Sequence, residues 1–583
     1  MTVSAIEARS LQAQFDLPQP LAQINCPFAQ LQPGFKRALN YFSAQKNARL
    51  MLVQTPEFIN LGEWTQSLYQ PHAKTPLAID IKDSAKRIEH AETKKSEQIL
   101  LNSSSNSELV IAQNLSWQNL FGLYPSELKD GSLKMDLNRY KSGLLWRADQ
   151  GILAVPAEEL ISQRNLWHAL NAIVEQQLFD WQELQHWPAH VDLCPTPIHL
   201  KLLIWGDCEI LDQLLNEYPR LWDNTSVRCE LAEDIDASSE HCQAWLSALF
   251  NQAQIPMPDD IELCTWLLRQ SSRECEHQCY LAQDFSQLAH LLQYAQSLEN
   301  GLTLENLKEA YQQLNQSCNG EQRWSLRSYR DGHIKLSLSG KTIGQINGLS
   351  VLESPGISRS FGEPLRITAT VQPGDGDLSD VERKAELAGN IHAKSMMIIQ
   401  GYLTRQFARD SQFPVSGTIV FEQSYHEIDG DSASLASLMV VLSALSNQPI
   451  NQSFATTGAV DQMGNVLAVG GVNEKIEGFY QVCQLVDPDN RHFVILPAAN
   501  LTQLNLTDEL VEAVKTQKLT LYPVEHVNQA IELLFDQNAG SARSEKGILG
   551  TVEQRSRAMA DIENHHHRGI LSLLLQRFLK KAL

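Results

Sequence analysis

The sequence predicts an α/β amino-terminal half with a helical subdomain, followed by an α+β domain. Three observations carry this. Strand-like apolar stretches in the first half each run into a helical pattern: "ARLMLVQTP" at 48–56, "GILAVPAEELI" at 151–161 and "IHLKLLIWGDCEILDQLL" at 198–215. Strands alternating with helices indicate a parallel sheet. From about Glu230 to Gln316 the pattern turns helical, as in "CQAWLSALFNQAQ" and "FSQLAHLLQYAQSL". Near Ser337 it changes again, to strand-like segments broken by glycine turns, "IKLSLSGKTIGQINGLSVLE" and "PLRITATVQPGDGDLSD".

A chain of 583 residues with 43% hydrophobic content can bury several cores. The pattern divides it into an α/β domain over 1–229, a helical subdomain over 230–336, a third domain over 337–536, and a linker with a terminal helix over 537–583. The stretch 82–107, "KDSAKRIEHAETKKSEQILLNSSSNS", is polar and ends in serines and asparagines, so it reads as a mobile insertion rather than core. In the tail, Leu571, Leu574, Leu575, Phe578 and Ala582 fall at helical spacing beside Arg568, Arg577, Lys580 and Lys581. This is an amphipathic helix, expected to dock on its own protein or a subunit; contact with an anionic membrane surface is the alternative.

A net charge of -21 argues against nucleic acid as the main partner, since that binding rests on cations neutralising phosphates. Ten cysteines without repeating spacing, and a start ("MTVSAIEARSLQAQFDL") lacking a basic stretch followed by an apolar core, make a reducing cytoplasm the expected location. Cys275, His277 and Cys279 form the tightest cluster, but a four-ligand site needs a second pair and none is evident, so no metal is expected. No apolar run reaches the ~18 residues that a membrane span needs.

The nucleotide motifs fail where they should stand. "SGKT" at 339–342 resembles the end of a phosphate loop, but Lys335 occupies the position of its first glycine; "KLSLS" alternates as a strand, which makes Gly340 and Lys341 a hairpin turn. After the strand of "RLMLVQTPEF", Gln54, Thr55, Pro56 and Glu57 offer neither bare glycine amides nor a lysine for phosphate. At the end of "GILAVPAEEL", Pro156 and Ala157 stand where magnesium-binding acids belong, with Glu158 and Glu159 displaced. The expectation is an ATPase-like fold that does not hydrolyse ATP, and no bound cofactor.

Ser432 lies where the strand-like "VSGTIVFEQSY" passes through "HEIDGD" into the helical "SASLASLMVVLSAL". Serine is a favoured helix cap, and the residues alone favour that reading. A catalytic serine needs a group that takes its proton. Downstream, "FATTGAVDQMGNVLAVGG" reads as two strands, and a helix begins near Lys475. A lysine there opposes the helix dipole, and burial would lower its pKa toward the range of a general base. An exposed, inert lysine is the other reading of the same residues.

Taken together these segments resemble the proteolytic domain of the Lon family, in particular its Lon-B-like branch. "GDSAS" at 430–434 matches the loop that holds the family's serine nucleophile, and "GGVNEK" at 470–475 matches the motif that ends in its lysine base, 43 residues away. The likeness runs from about Ile343 to Phe535. It implies a Ser432–Lys475 dyad, with Thr457 at the place of a threonine whose hydroxyl supports the lysine. The amino-terminal half resembles the AAA+ module of that branch with eroded nucleotide motifs.

The resemblance implies that neutral Lys475 takes the proton of Ser432, whose oxygen attacks a peptide carbonyl while the amides of Ser432 and Asp431 hold the oxyanion. Asp429 and Asp431 are expected chiefly to shape the loop. His426, six residues before the serine, is set aside as a base in favour of the lysine, and Glu474 is expected to point away from it. The function implied is a serine endopeptidase acting on unfolded or loosely folded proteins without ATP hydrolysis, in a homohexameric ring. The alternative is a non-catalytic ring-forming adaptor with a latent protease domain.

Overall fold

The computed structural model describes the chain except residues 1–2, 25–26, 57–60, 75, 81–97, 113, 124–125, 130–131, 136–139, 182–194, 354–358, 375, 382–388, 408–412, 424–429 and 561–583. It divides into two compact units. One holds Asp16–Ile261 with Leu281–Gln293; the other holds the chain up to Phe15, Glu262–Tyr280, and Tyr294 onward.

The first unit is built on five parallel strands: β1 (Leu50–Gln54), β2 (Leu109–Ile111), β3 (Ile152–Pro156), β4 (Lys201–Gly206) and β5 (Val227–Glu230). Their spatial order is β5-β1-β4-β3-β2, every pairing parallel. Ile152, Leu153, Ala154 and Val155 are all buried, as expected of a strand covered on both faces, and this is why "ILAV" runs apolar without alternation. The helix α1 (Ala157–Ser162) follows β3, and α2 (Cys208–Glu217) follows β4, its first turn capped by the Asp207 carboxylate accepting from the Ile210 amide at 2.8 Å. The helix α3 (Ser239–Ala253) lies in the same unit.

In the second unit, α4 (Ile261–Glu274), α5 (Leu304–Ser317) and α6 (Gly320–Arg330) precede a seven-stranded mixed sheet. Its strands are β6 (Gln345–Leu352), β7 (Phe361–Pro373), β8 (Leu378–Asp380), β9 (Val415–Glu422), β10 (Phe454–Thr456), β11 (His492–Pro497) and β12 (Leu519–Val524), in the order β8-β9-β7-β6-β10-β11-β12. One core joins the sheet to α7 (Asn390–Phe407), α8 (Ser434–Ser446) and α11 (Val527–Phe535). Another joins it to α9 (Val472–Val486) and α10 (Asp508–Lys515). Every residue of α8 is buried, which explains a helix with apolar residues on all sides.

The compact units cut across the boundaries expected at 229 and 336. Residues before Phe15 belong with the second unit: the Ile6 amide donates to Leu521 O at 3.0 Å, the Leu506 amide to Leu11 O at 2.9 Å, and Leu11 is fully buried. Helix α3 stays in the first unit, whereas α5 and α6 lie in the second. The stretch 82–107 also needs correction at its end. Gln98–Asn102 pairs as a strand with Leu77–Asp80, Leu101 is buried, and Asn102 Nδ2 donates to Trp146 O at 2.7 Å, because that segment contributes apolar groups its serine-rich neighbours obscure; 81–97 lies outside the described residues. "KLSLS" is not a strand; Leu336 and Leu338 turn into the core instead. Lys341–Thr342 pairs with Ile450–Asn451, so Gly340 and Lys341 do not form a hairpin turn. From 538 the chain does not trail off as a linker: a helix over 547–560 buries Ile548, Leu549 and Val552. The amphipathic terminal helix lies outside the described residues.

Candidate active site

Ser432 sits just before α8, and it does not cap it. The cap position belongs to Ala433, while the hydroxyl that fastens the turn is that of Ser434, donating to Asp431 O at 2.7 Å and accepting from the Val460 amide at 3.0 Å. The Ser432 carbonyl accepts from the Gly458 amide at 2.8 Å and from the Thr457 hydroxyl at 3.3 Å. The Ser432 hydroxyl is thus half-buried at a helix start and spent on no described residue. The amides of Asp431 and Ser432 likewise donate to no described residue, which leaves two N–H groups beside the hydroxyl at the positive end of α8.

Thr457 follows β10 directly and its amide donates to Ile495 O on β11 at 3.0 Å, so the middle of the sheet fixes it. Its hydroxyl holds the serine loop. Among the described residues no hydrogen bond joins it to Lys475, which differs from the support of the lysine that the family likeness implies.

Lys475 is the fourth residue of α9, and only 4% of its surface is exposed. Gly471 precedes the helix with φ +63°, a left-handed conformation that suits glycine. Lys475 Nζ donates to Gly470 O at 2.8 Å. Burial pushes the ammonium pKa down from 10.5 to about 8, against the carboxylates of Glu276, Asp431 and Glu474, which hold it up. The position of α9 is set by a close crossing on β7: a methyl group on Gly478 would stand 1.8 Å from Gly362 O, and one on Gly362 would stand 2.0 Å from Glu474 O. Only bare backbones allow this approach, and it brings the lysine down onto the sheet. No hydrogen bond joins Lys475 Nζ to Ser432 Oγ, but Asp431, the neighbour of the serine, is near enough to act on the lysine's charge.

Three further residues shape the site. The buried Asn500 accepts from the Val469 amide at 3.0 Å and donates to Val469 O at 2.7 Å, pinning the segment that leads into Gly470. Arg273, in the last turn of α4, binds Glu474 at 2.7 Å and Glu477 at 2.5 Å, so an arginine engages Glu474 while its charge still acts on the lysine. Glu276 accepts from the Gly471 amide at 3.2 Å. The sequence pairs none of these with the motif; "SSRECEHQC" stands about 200 residues away from it. His426 and Asp429 lie outside the described residues. His277 Nδ1 accepts the Cys279 amide at 3.1 Å.

The first unit has a cavity of about 400 Å³ at the ends of β1, β4 and β5, the edge of a parallel sheet where ligands ordinarily bind. Gln54, Thr55, Asp207, Glu209, Glu230 and Glu233 line it, with no lysine or arginine among the described lining residues. Gln54 itself donates to Glu230 at 3.0 Å. Four carboxylates there oppose a polyphosphate.

Residues 328–537 match the family model of the Lon protease (S16) C-terminal proteolytic domain, and 105–225 match that of the LonB-like AAA domain. A Lon protease homolog of Escherichia coli strain K12 is 32% identical over 584 residues, covering 96% of this chain and 95% of its own. The chain belongs to the Lon protease family. A Lon protease homolog of Haemophilus influenzae is also 32% identical, over 93% of this chain and 92% of its own. An archaeal Lon protease of Methanocaldococcus jannaschii is 32% identical over 216 residues, 34% of this chain and 29% of its own. The first unit therefore carries an AAA-like module and the second a Lon proteolytic domain, and the chain is a Lon-type peptidase by family.

Proposed function

We propose that this Lon-family protein is an endopeptidase that works through Ser432 and Lys475 and needs no ATP. The observation that carries the reading is the lysine. It is buried at the start of α9 with its pKa down at about 8, so an appreciable neutral fraction exists near physiological pH. Neutral Lys475 accepts the Ser432 proton as the serine oxygen bonds to the peptide carbonyl carbon. The amides of Ser432 and Asp431 receive the oxyanion, and a lost donor of this kind costs about 3 to 4 kcal/mol of barrier. The ammonium then protonates the leaving amine as the C–N bond breaks. Water, deprotonated by the regenerated lysine, cleaves the acyl-enzyme and restores the serine. Thr457 fixes the serine loop through its bond to Ser432 O.

The acidic cavity of the AAA-like module supports independence from ATP, because Asp207, Glu209, Glu230 and Glu233 supply repulsion where a phosphate needs donors and a cation. Without a motor the substrates are unfolded or loosely folded chains, taken in by a homohexameric ring in the cytoplasm. Purified protein should degrade casein equally with and without ATP and magnesium, and Ser432→Ala and Lys475→Ala should each abolish it. Cleavage that requires ATP would refute the ATP-independent reading.

A further inference from the structure

The last turn of α4 and the turn that follows it meet the start of α9 through two side chains three residues apart, Arg273 and Glu276. The Arg273 guanidinium forks onto Glu474 and Glu477, with Nη2 at 2.7 Å from the first and at 2.8 Å from the second. Glu276 turns toward the other side, where its Oε1 accepts from the Gly471 amide at 3.2 Å. Gly471 and Gly470 form the turn that receives the Lys475 ammonium at 2.8 Å. The α4 end therefore grips the base helix at its flank and at its first exposed amide. Glu276 does this from φ +48°, a left-handed conformation that non-glycine residues seldom take.

We propose that Glu276 is a positioning residue that fixes the Gly470–Gly471 turn and sets a negative charge beside Lys475, damping the base near neutral pH. It does not touch the reacting atoms. Among the described residues, the charged groups that act on Lys475 are Glu276 from the turn after α4, Asp431 from the serine loop and Glu474 from its own helix; of the three, Glu276 acts most strongly. Arg273 shares the charge of Glu474, whereas the Glu276 carboxylate is exposed and bonded only to a backbone amide among the described residues.

The inference rests on Lys475 being the base, and the test separates the two. The pH dependence of kcat/KM for a casein-derived peptide is measured for wild type, Glu276→Gln, Glu276→Ala and Lys475→Ala, at low and at high salt. The glutamine keeps an oxygen for the Gly471 amide and removes the charge, so the rise of activity with pH should move about half a unit toward acid. At pH 7 that reads as a gain of about threefold. Because the carboxylate is exposed, the wild-type profile should approach the glutamine profile as salt rises. The alanine variant loses the acceptor too, and its alkaline plateau should fall below that of the glutamine variant. Superimposed wild-type and glutamine profiles with Lys475→Ala inactive would overturn the role of Glu276 alone. Undiminished cleavage by Lys475→Ala would overturn the dyad and this inference with it.

Discussion

Replacing Lys475 by methionine should stabilise the protein while destroying its activity. The side chain is 4% exposed, and its ammonium pKa falls from 10.5 to about 8 on burial. That fall corresponds to about 3 kcal/mol of folding free energy set against the charged form. The sign follows from linkage. The folded state releases the proton more easily than the unfolded state, so the penalty is fully present below pH 8, shrinks between pH 8 and 10.5, and vanishes above. Methionine keeps an unbranched apolar stem and removes the charge. It also removes the bond to Gly470 O, worth about 1 kcal/mol. The net gain should be about 2 kcal/mol at pH 7 and should disappear or reverse near pH 10.5. Hydrogen exchange of the α9 amides in denaturant, at both pH values, measures it where the change is made. A Lys475→Met protein less stable than wild type at pH 7, or a difference that does not vary with pH, would refute the view that the lysine is a strained, largely desolvated group.

Other perturbations follow from the same geometry. Gly478→Ala puts a methyl group 1.8 Å from Gly362 O, so α9 must lift from β7; a loss of about 1 to 3 kcal/mol in thermal denaturation and a fall in kcat larger than that in Gly362-remote controls such as Gly320→Ala are expected. Thr457→Val removes the donor to Ser432 O and should lower kcat about fivefold, with Thr457→Ser restoring it. For the AAA-like module, equilibrium dialysis with millimolar ATP should find no binding, given the four carboxylates around its cavity.

The parallel sheet was legible because β1, β3 and β4 are apolar runs feeding helices, a pattern that local composition preserves. What misled was local composition acting against distant partners. The serines of 103–107 hide Leu101 and Asn102, whose core neighbours come from around Trp146. Just after 538 the chain is small, polar and charged around Ile548, Leu549 and Val552, and those three reach the core of the second unit. At the site, the positions of Ser432 and Lys475 relative to helix starts could be read from glycines and helical runs. The hydroxyl that holds the serine turn is that of Ser434, two places on, and a short polar loop gives no local reason to prefer either. Glu276, Arg273 and Asn500 had no signal, since each works through a contact made only after the chain has folded.

The central claim is that a buried, readily neutralised Lys475 serves Ser432. Its most direct test is the pH dependence of casein cleavage without ATP by wild type, with Ser432→Ala and Lys475→Ala as controls. The account predicts activity that rises about tenfold between pH 7 and pH 9 with a bend near 8, and none in either variant. Cleavage that persists in Lys475→Ala, or a wild-type rate flat across pH 8, would contradict it.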